Sequence, residues 1–333
     1  MNSYHASKMV TPATLEQYER LKSGTSYATL NDRAWIELSG KDRQTFLHNL
    51  CTADIKSLPS GSAVELFILD TRGKTFGFGH VFALEDRLVI TMASQEAGAK
   101  VCEHLDRYLI REDVEIADRS NEMQLYFVAD GGSETELSEL QTEPGTVSAV
   151  DAVAANLIVA NIELAGPGFL LAIPKEPNEN VDTLDQWLTS KQITVCTDES
   201  FSMHRLEQGT PWFGHEIDET NLPQELRRDA KAISFTKGCY LGQETVAKID
   251  AFGHVNRFLV GMQIECDESE QLPESDSLIM IDDKKVGILK STAYSPQLQG
   301  WLGLGFVKCK MAEPGTVVSV GSTNAKIIEL PLA

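Results

Sequence analysis

Residues 237–244 read Lys-Gly-Cys-Tyr-Leu-Gly-Gln-Glu, and the run that continues them, Gln243 to Ile249, reads as a helix. Cys239 therefore stands just before a helix N-terminus, with Lys237 two residues away. A positive dipole end and an ammonium both favour a thiolate, the form in which cysteine acts as nucleophile or ligand. Gly238 and Gly242 allow tight turns and close backbone approach on either side. The same spacing also fits a buried structural cysteine in a glycine-rich turn, the commoner setting of a free thiol.

Upstream, Asp198 is placed to cap a helix over 199–208 that stops at Gly209. Toward the N-terminus, residues 34–38 read as a strand, and Ser39 as the cap of a helix with Phe46, Leu47 and Leu50 on one face. Strand-like runs near 63–70, 74–84 and 87–92, separated by Gly73 and Glu85-Asp86, predict an antiparallel meander. Ala97, Val101, Leu105 and Leu109 recur at four-residue spacing, which predicts a helix over 94–110. Further strands are expected at 113–118, 122–129, 156–163 and 169–173, and a helix over 180–190. Beyond Asn256 the cadence changes to short runs at 257–264, 277–281, 284–290, 302–308 and 316–320, which suggests a small closed β-barrel. The sum is α+β with mostly antiparallel sheets and a C-terminal barrel.

At about 150 residues per domain, 333 residues make roughly two domains. The charge is −20, from 29 basic against 49 acidic residues, which repels phosphate backbones. DNA is therefore excluded as a partner, while a local basic cleft for a structured RNA stays open. The most apolar stretch, 149–165, is broken by Asp151, Asn156, Asn161 and Glu163, so no membrane span is expected. Six scattered cysteines without a C-x-x-C pair indicate neither a disulfide scaffold nor a structural zinc site. With no apolar signal core in the first thirty residues, a cytoplasmic protein with reduced thiols is expected.

Lys237–Glu244 resembles the K-G-C-Y-x-G-Q-E signature of the YgfZ family, folate-binding, glycine-cleavage-T-protein-like factors tied to iron–sulfur cluster maintenance. Ser39-Gly40-Lys41-Asp42 with Phe46-Leu47 and Thr52-Ala53-Asp54 is similar to that family's N-terminal block. Asp70 to Gly73 resembles its D-x-x-G turn, and Arg205 to Gly209 its R-x-E-x-G helix end, so the likeness runs over roughly residues 30–260. The resemblance implies a T-protein-like fold, the folate-binding fold of aminomethyltransferases. Two interleaved antiparallel α/β units, approximately 1–57 with 119–213 and 58–118 with 214–253, would form a core over 1–253. That core would surround a folate-sized opening, with the barrel over 254–333. The implied function is a folate-binding factor in iron–sulfur cluster assembly or repair. Its ligand would be tetrahydrofolate or a related folate. Its partners would be iron–sulfur client or assembly proteins, with a weaker link to tRNA through tRNA modification. The alternatives are a folate-dependent one-carbon transferase acting on a small amine or on tRNA, and an interaction module with an empty pocket.

Two departures bear on activity. Aminomethyltransferases carry an aspartate on the strand after the D-x-x-G-type turn, whereas Thr75 to His80 contains no carboxylate. They also hold the pterin with a glutamate near the position of Leu170. An active aminomethyltransferase is therefore not expected. The resemblance makes Cys239 the functional thiol, with Lys237 beside it, and Arg205, Phe201, Trp212, Tyr240 and Gln243 the cofactor contacts. Each keeps a plainer reading. Arg205 either forks onto a ligand carboxylate or pairs with Glu207 or another acid; Phe201 either stacks on a ligand or fills the core. Trp212 either lines the cleft or packs it, and Tyr240 anchors the turn from beneath. No metal site is expected, because His215, Glu216, Asp218 and Glu219 fit no recurring ligand spacing.

Overall fold

The computed structural model describes residues 10–131, 140, 143–151, 153–266 and 272–332. The chain begins with α1 (Pro12–Lys22), β1 (Ser26–Thr29), β2 (Ala34–Ser39) and α2 (Arg43–Leu50). The meander follows as β3 (Ser62–Leu69), β4 (Thr75–Ala83) and β5 (Leu88–Met92), then α3 (Gln95–Asp106) and β6 (Glu115–Asp118). Next come β7 (Met123–Ala129), β8 (Val147–Ala149), β9 (Ile158–Glu163), β10 (Pro167–Pro174), α4 (Glu179–Ser190), β11 (Thr194–Val195) and α5 (Asp198–Glu207). Two helices, α6 (Asp229–Ala232) and α7 (Gln243–Phe252), precede the strands β12 (Arg257–Glu265), β13 (Leu278–Ile281), β14 (Lys284–Ser295), β15 (Gly300–Lys308), β16 (Val317–Val320) and β17 (Thr323–Ile328).

Three sheets result. The first runs β11-β1-β7-β10-β9-β8, the second β3-β4-β5-β2-β6, and the last six strands close as the barrel β12-β15-β14-β13-β16-β17. The chain leaves the first sheet after β1, builds the second, and returns at β7. Period-2 alternation joins the two sheets face to face. Trp35 of β2 and Phe82 of β4 meet Leu125 and Phe127 of β7 and Leu170 of β10 in one buried cluster. The outer face of the second sheet packs on α2 and α3 through Ile36, Leu38, Leu47 and Val101. The outer face of the first packs on α4 through Tyr126, Val128, Leu184 and Leu188.

Several expectations are corrected. Strand 34–39, expected with the first unit, hydrogen-bonds to β5 and β6 of the second sheet. Ser39 ends β2, and α2 starts at Arg43 after Asp42, with no side-chain cap. The hydroxyl of Thr197, rather than the Asp198 carboxylate, caps α5 by accepting from the Ser200 N–H at 3.3 Å. No helix among the described residues is long and apolar enough to cross a membrane.

Candidate functional site

Three of the four segments singled out in the sequence, 39–54, 70–73 and 237–244, converge at one place. The Leu241 N–H donates to the Asn49 carbonyl at 2.9 Å, and the Ser234 N–H to the Thr52 carbonyl. Thr52 Oγ1 donates to the Ala232 carbonyl at 2.6 Å. The Asp70 carboxylate accepts from the N–H groups of Arg72 and Lys74, both at 2.8 Å, which shapes the 70–73 turn. That turn fits against Gly242, whose φ is +79°. A Cβ on Gly242 would lie 2.7 Å from the Asp70 carbonyl oxygen, so this glycine serves both conformation and close approach. Thr245 Oγ1 adds a bond to the Arg72 carbonyl at 2.8 Å.

Lys237 fastens the loop from below. Its buried ammonium donates to the carbonyls of His48, Cys51 and Ala53 at 2.6, 2.8 and 2.6 Å, at the C-terminal end of α2. Burial lowers its pKa. The ring of Tyr240, itself buried, lies 4.8 Å from the ammonium, so Tyr240 anchors the turn from beneath. The expected partnership of Lys237 with the thiol is thus replaced: all three ammonium hydrogens are taken by carbonyls. Cys239 also precedes the first residue of α7 by four positions, outside the turn over which a helix dipole acts. Its position nonetheless distinguishes it: of the six cysteines, Cys239 is the exposed one. Gly238 beside it has no positive φ, and an added Cβ there meets nothing within 4 Å. Gln243 opens α7 and donates its backbone N–H to the Tyr240 carbonyl at 3.2 Å.

The remaining candidates form a second group, between the sheets. Arg205 is buried and forks onto Glu216 through Nη1 and Nη2, both at 2.9 Å, with a third bond from Nη1 to the Thr210 carbonyl at 2.7 Å. Burial would raise the Glu216 carboxyl, but the Arg205 guanidinium more than offsets it and holds it below the ordinary range. Arg205 is therefore an ion-pair residue, with no fork left for a ligand carboxylate. Phe201 is buried edge-on to Phe127 and tilted against Trp212 at 5.5 Å. It is a core residue. Trp212 donates from Nε1 to the Leu164 carbonyl at 3.2 Å and lies between two guanidiniums, Arg205 at 5.0 Å and Arg33 at 5.8 Å.

Trp212 also lines a small cleft with Arg33, Phe78, His80, Glu163 and Thr210. Its free volume is about 10 Å³, room for about one water molecule. The sequence reading missed Arg33 and His80. Arg33 sits in a polar Asn-Asp-Arg stretch and carries no periodic signal. His80 was legible only as one step in the alternation of β4.

A family model for the GCVT N-terminal domain matches residues 2–230, and one for the glycine cleavage T-protein C-terminal barrel domain matches 257–332. The chain belongs to the glycine cleavage T-protein family. A chloroplastic transferase candidate of Arabidopsis thaliana is 26% identical over 327 residues, spanning 95% of this chain and 73% of the relative. The tRNA-modifying protein YgfZ of Aliivibrio fischeri is 26% identical over 247 residues, 73% and 72% of the two chains. An aminomethyltransferase of Chloroherpeton thalassium is 22% identical over 333 residues, 95% and 90%. In fold, the chain resembles the glycine cleavage system aminomethyltransferase T of Bartonella henselae, with TM-score 0.82, 15% identity, and coverage of 97% and 90%. The T-protein-like architecture with its C-terminal barrel is thereby shown.

Members of this family generally bind tetrahydrofolate, which sets a test for the cleft. As folded, the cleft does not fit it. A ligand of that size needs some 300 Å³ or more, against about 10 Å³ here. The buried Leu170 offers no hydrogen bond, and β4 from Thr75 to His80 presents no carboxylate.

Proposed function

We propose that this T-protein family member is a noncatalytic factor whose working group is the Cys239 thiol, acting in iron–sulfur cluster assembly or repair. The observation that carries the reading is the exposed Cys239 on a loop pinned by three carbonyl bonds from Lys237. A rigid, accessible thiol is suited to transient ligation or transfer with a partner. Burial pushes the thiols of Cys51, Cys102 and Cys196 up to about 11, 12 and 12, which leaves them little thiolate at neutral pH. The relatives divide between tRNA-modifying YgfZ proteins and aminomethyltransferases, and the absence of a carboxylate from Thr75 to His80 supports a role other than aminomethyl transfer. Tetrahydrofolate is the second part of the proposal and is supported by the family match alone, since the cleft as folded is too small for it. Partners are iron–sulfur client or assembly proteins, and tRNA is disfavoured by the charge of −20.

Complementation tests the first part. In cells lacking their own factor of this kind, the wild type restores an iron–sulfur reporter enzyme and Cys239→Ser does not. Restoration by the serine variant would show that the thiol is not the working group. Calorimetric titration with tetrahydrofolate tests the second. Heat on binding without turnover is expected, and turnover with a small amine or tRNA acceptor would favour the one-carbon transferase instead.

A further inference from the structure

In a chain with 49 acidic residues, positions 284–312 hold five lysines and no carboxylate. They form the β14–β15 hairpin and the short turn 309–311 after it. Gly287 stands opposite Val307, so Lys284 and Lys285 at the start of β14 share one end of the barrel with Lys308 and Lys310. Arg257 of β12 lies directly opposite Lys308, a like-charge pair that costs stability. Glu225 offsets only Arg257, at 3.0 Å. Lys290, the fifth lysine, is already paired with Asp218 and Asp276.

Arg227 brings a further cation to the same end. Its guanidinium lies 4.2 Å over the ring of Phe258, the neighbour of Arg257 in β12. Stacked in that way, it keeps its planar fork of N–H donors at the rim of the ring. Its φ is +55°, a conformation that a glycine would hold at lower cost. Arg227, Lys284, Lys285, Lys308 and Lys310 are all exposed, and none has an ion pair among the described residues. The turns at this end add three carboxylates, Asp282, Asp283 and Glu313, which leaves cations in excess on a chain of net charge −20. Met311, 38% exposed, sets an apolar side chain among them.

We propose that this end of the barrel docks an acidic segment of a partner protein, whose carboxylates meet the Arg227 fork and the four unpaired lysines. Charge complementarity selects that occupant over RNA. A phosphate backbone carries charge along its whole length and would run past five cations onto the acidic surface around them. That surface acts within a screening length of about 8 Å at physiological salt. A short acidic segment ends where the patch ends. Exposed pairs contribute little singly, so the docking is weak and falls with salt. This inference concerns the barrel and is independent of Cys239 and of folate.

The experiment follows the fluorescence anisotropy of a labelled hexaglutamate peptide titrated with the full chain at low ionic strength. A saturable rise is expected, and the double variant Lys308→Glu with Lys310→Glu should weaken binding about tenfold. Lys284→Glu with Lys285→Glu should weaken it to a similar degree, and decides the matter should the first variant not fold. Lys41→Glu with Lys100→Glu makes the same change in net charge at exposed sites away from the barrel, and should leave binding within about twofold. Equal losses in the barrel and control variants would overturn the site, because net charge alone would then govern binding. Absence of any hexaglutamate binding would overturn it as well. Tighter binding of a labelled hexauridylate RNA than of the peptide would overturn the choice of a protein partner.

Discussion

Lys237 and Cys239 stand two residues apart yet have opposite relations to the fold. The Lys237 ammonium closes the end of α2 by accepting no substitute: a neutral side chain would strand the carbonyls of His48, Cys51 and Ala53 away from water. Losing charge-assisted bonds and leaving their acceptors unsatisfied costs on the order of 3 kcal/mol. Lys237→Met is therefore expected to lower stability by that amount in urea unfolding. Cys239→Ser changes an exposed side chain and is expected to stay within about 0.5 kcal/mol of the wild type. If the two variants unfolded alike, the loop would not be pinned as described. Cys239→Ser then reports on the thiol alone, whereas Lys237→Met reports on the scaffold that presents it.

At the scale of elements, Gly238 and Gly242 flank Cys239 and answer to different demands. Gly242, in the left-handed region and against the 70–73 turn, should tolerate alanine poorly. A loss of about 2 kcal/mol or more is expected for Gly242→Ala, from positive φ and the clash with the Asp70 carbonyl together. Gly238→Ala should be neutral when both variants are compared with the wild type by urea unfolding, and equal losses would refute the assignment. The two glycines look identical in the sequence; what separates them is a turn 170 residues earlier in the chain. The same limit runs through the fold. The meander β3-β4-β5, helix α3 and most of the barrel were legible because period 2 and period 3.6 are local. Two-residue β11 pairs in parallel with β1 across the chain and left no local trace. Likewise, the sequence leaves Arg205 open between a ligand fork and an ion pair, and Glu216, eleven residues on, is the acid that takes it. Exposure of Cys239 was the part of the site that spacing alone left open.

The whole molecule is knit around buried polar groups. Glu207 at the end of α5 is 1% exposed and accepts from Tyr18 of α1 and Ser295 of β14, each at 2.5 Å, which joins the N-terminal helix, the core and the barrel. Histidines buried in the neutral form give this packing an acid limit. Burial lowers His204 to about 4 and His80 well below its ordinary value. In the unfolded chain both titrate near 6.5, so between pH 6.5 and 4 the unfolded state binds more protons than the folded one. Stability therefore falls as pH falls through that window. For His204 alone the loss from pH 8 to pH 5 is about 2 kcal/mol. His204→Phe should remove that share of the pH dependence, because a phenyl ring carries no proton in either state. Urea unfolding of both proteins at pH 8 and pH 5, with slopes compared to confirm equal exposure of surface, checks it. The same drop in both would place the acid sensitivity elsewhere. A flatter profile in the variant would assign it to the imidazole on α5, one turn before the glutamate that holds the barrel to the core.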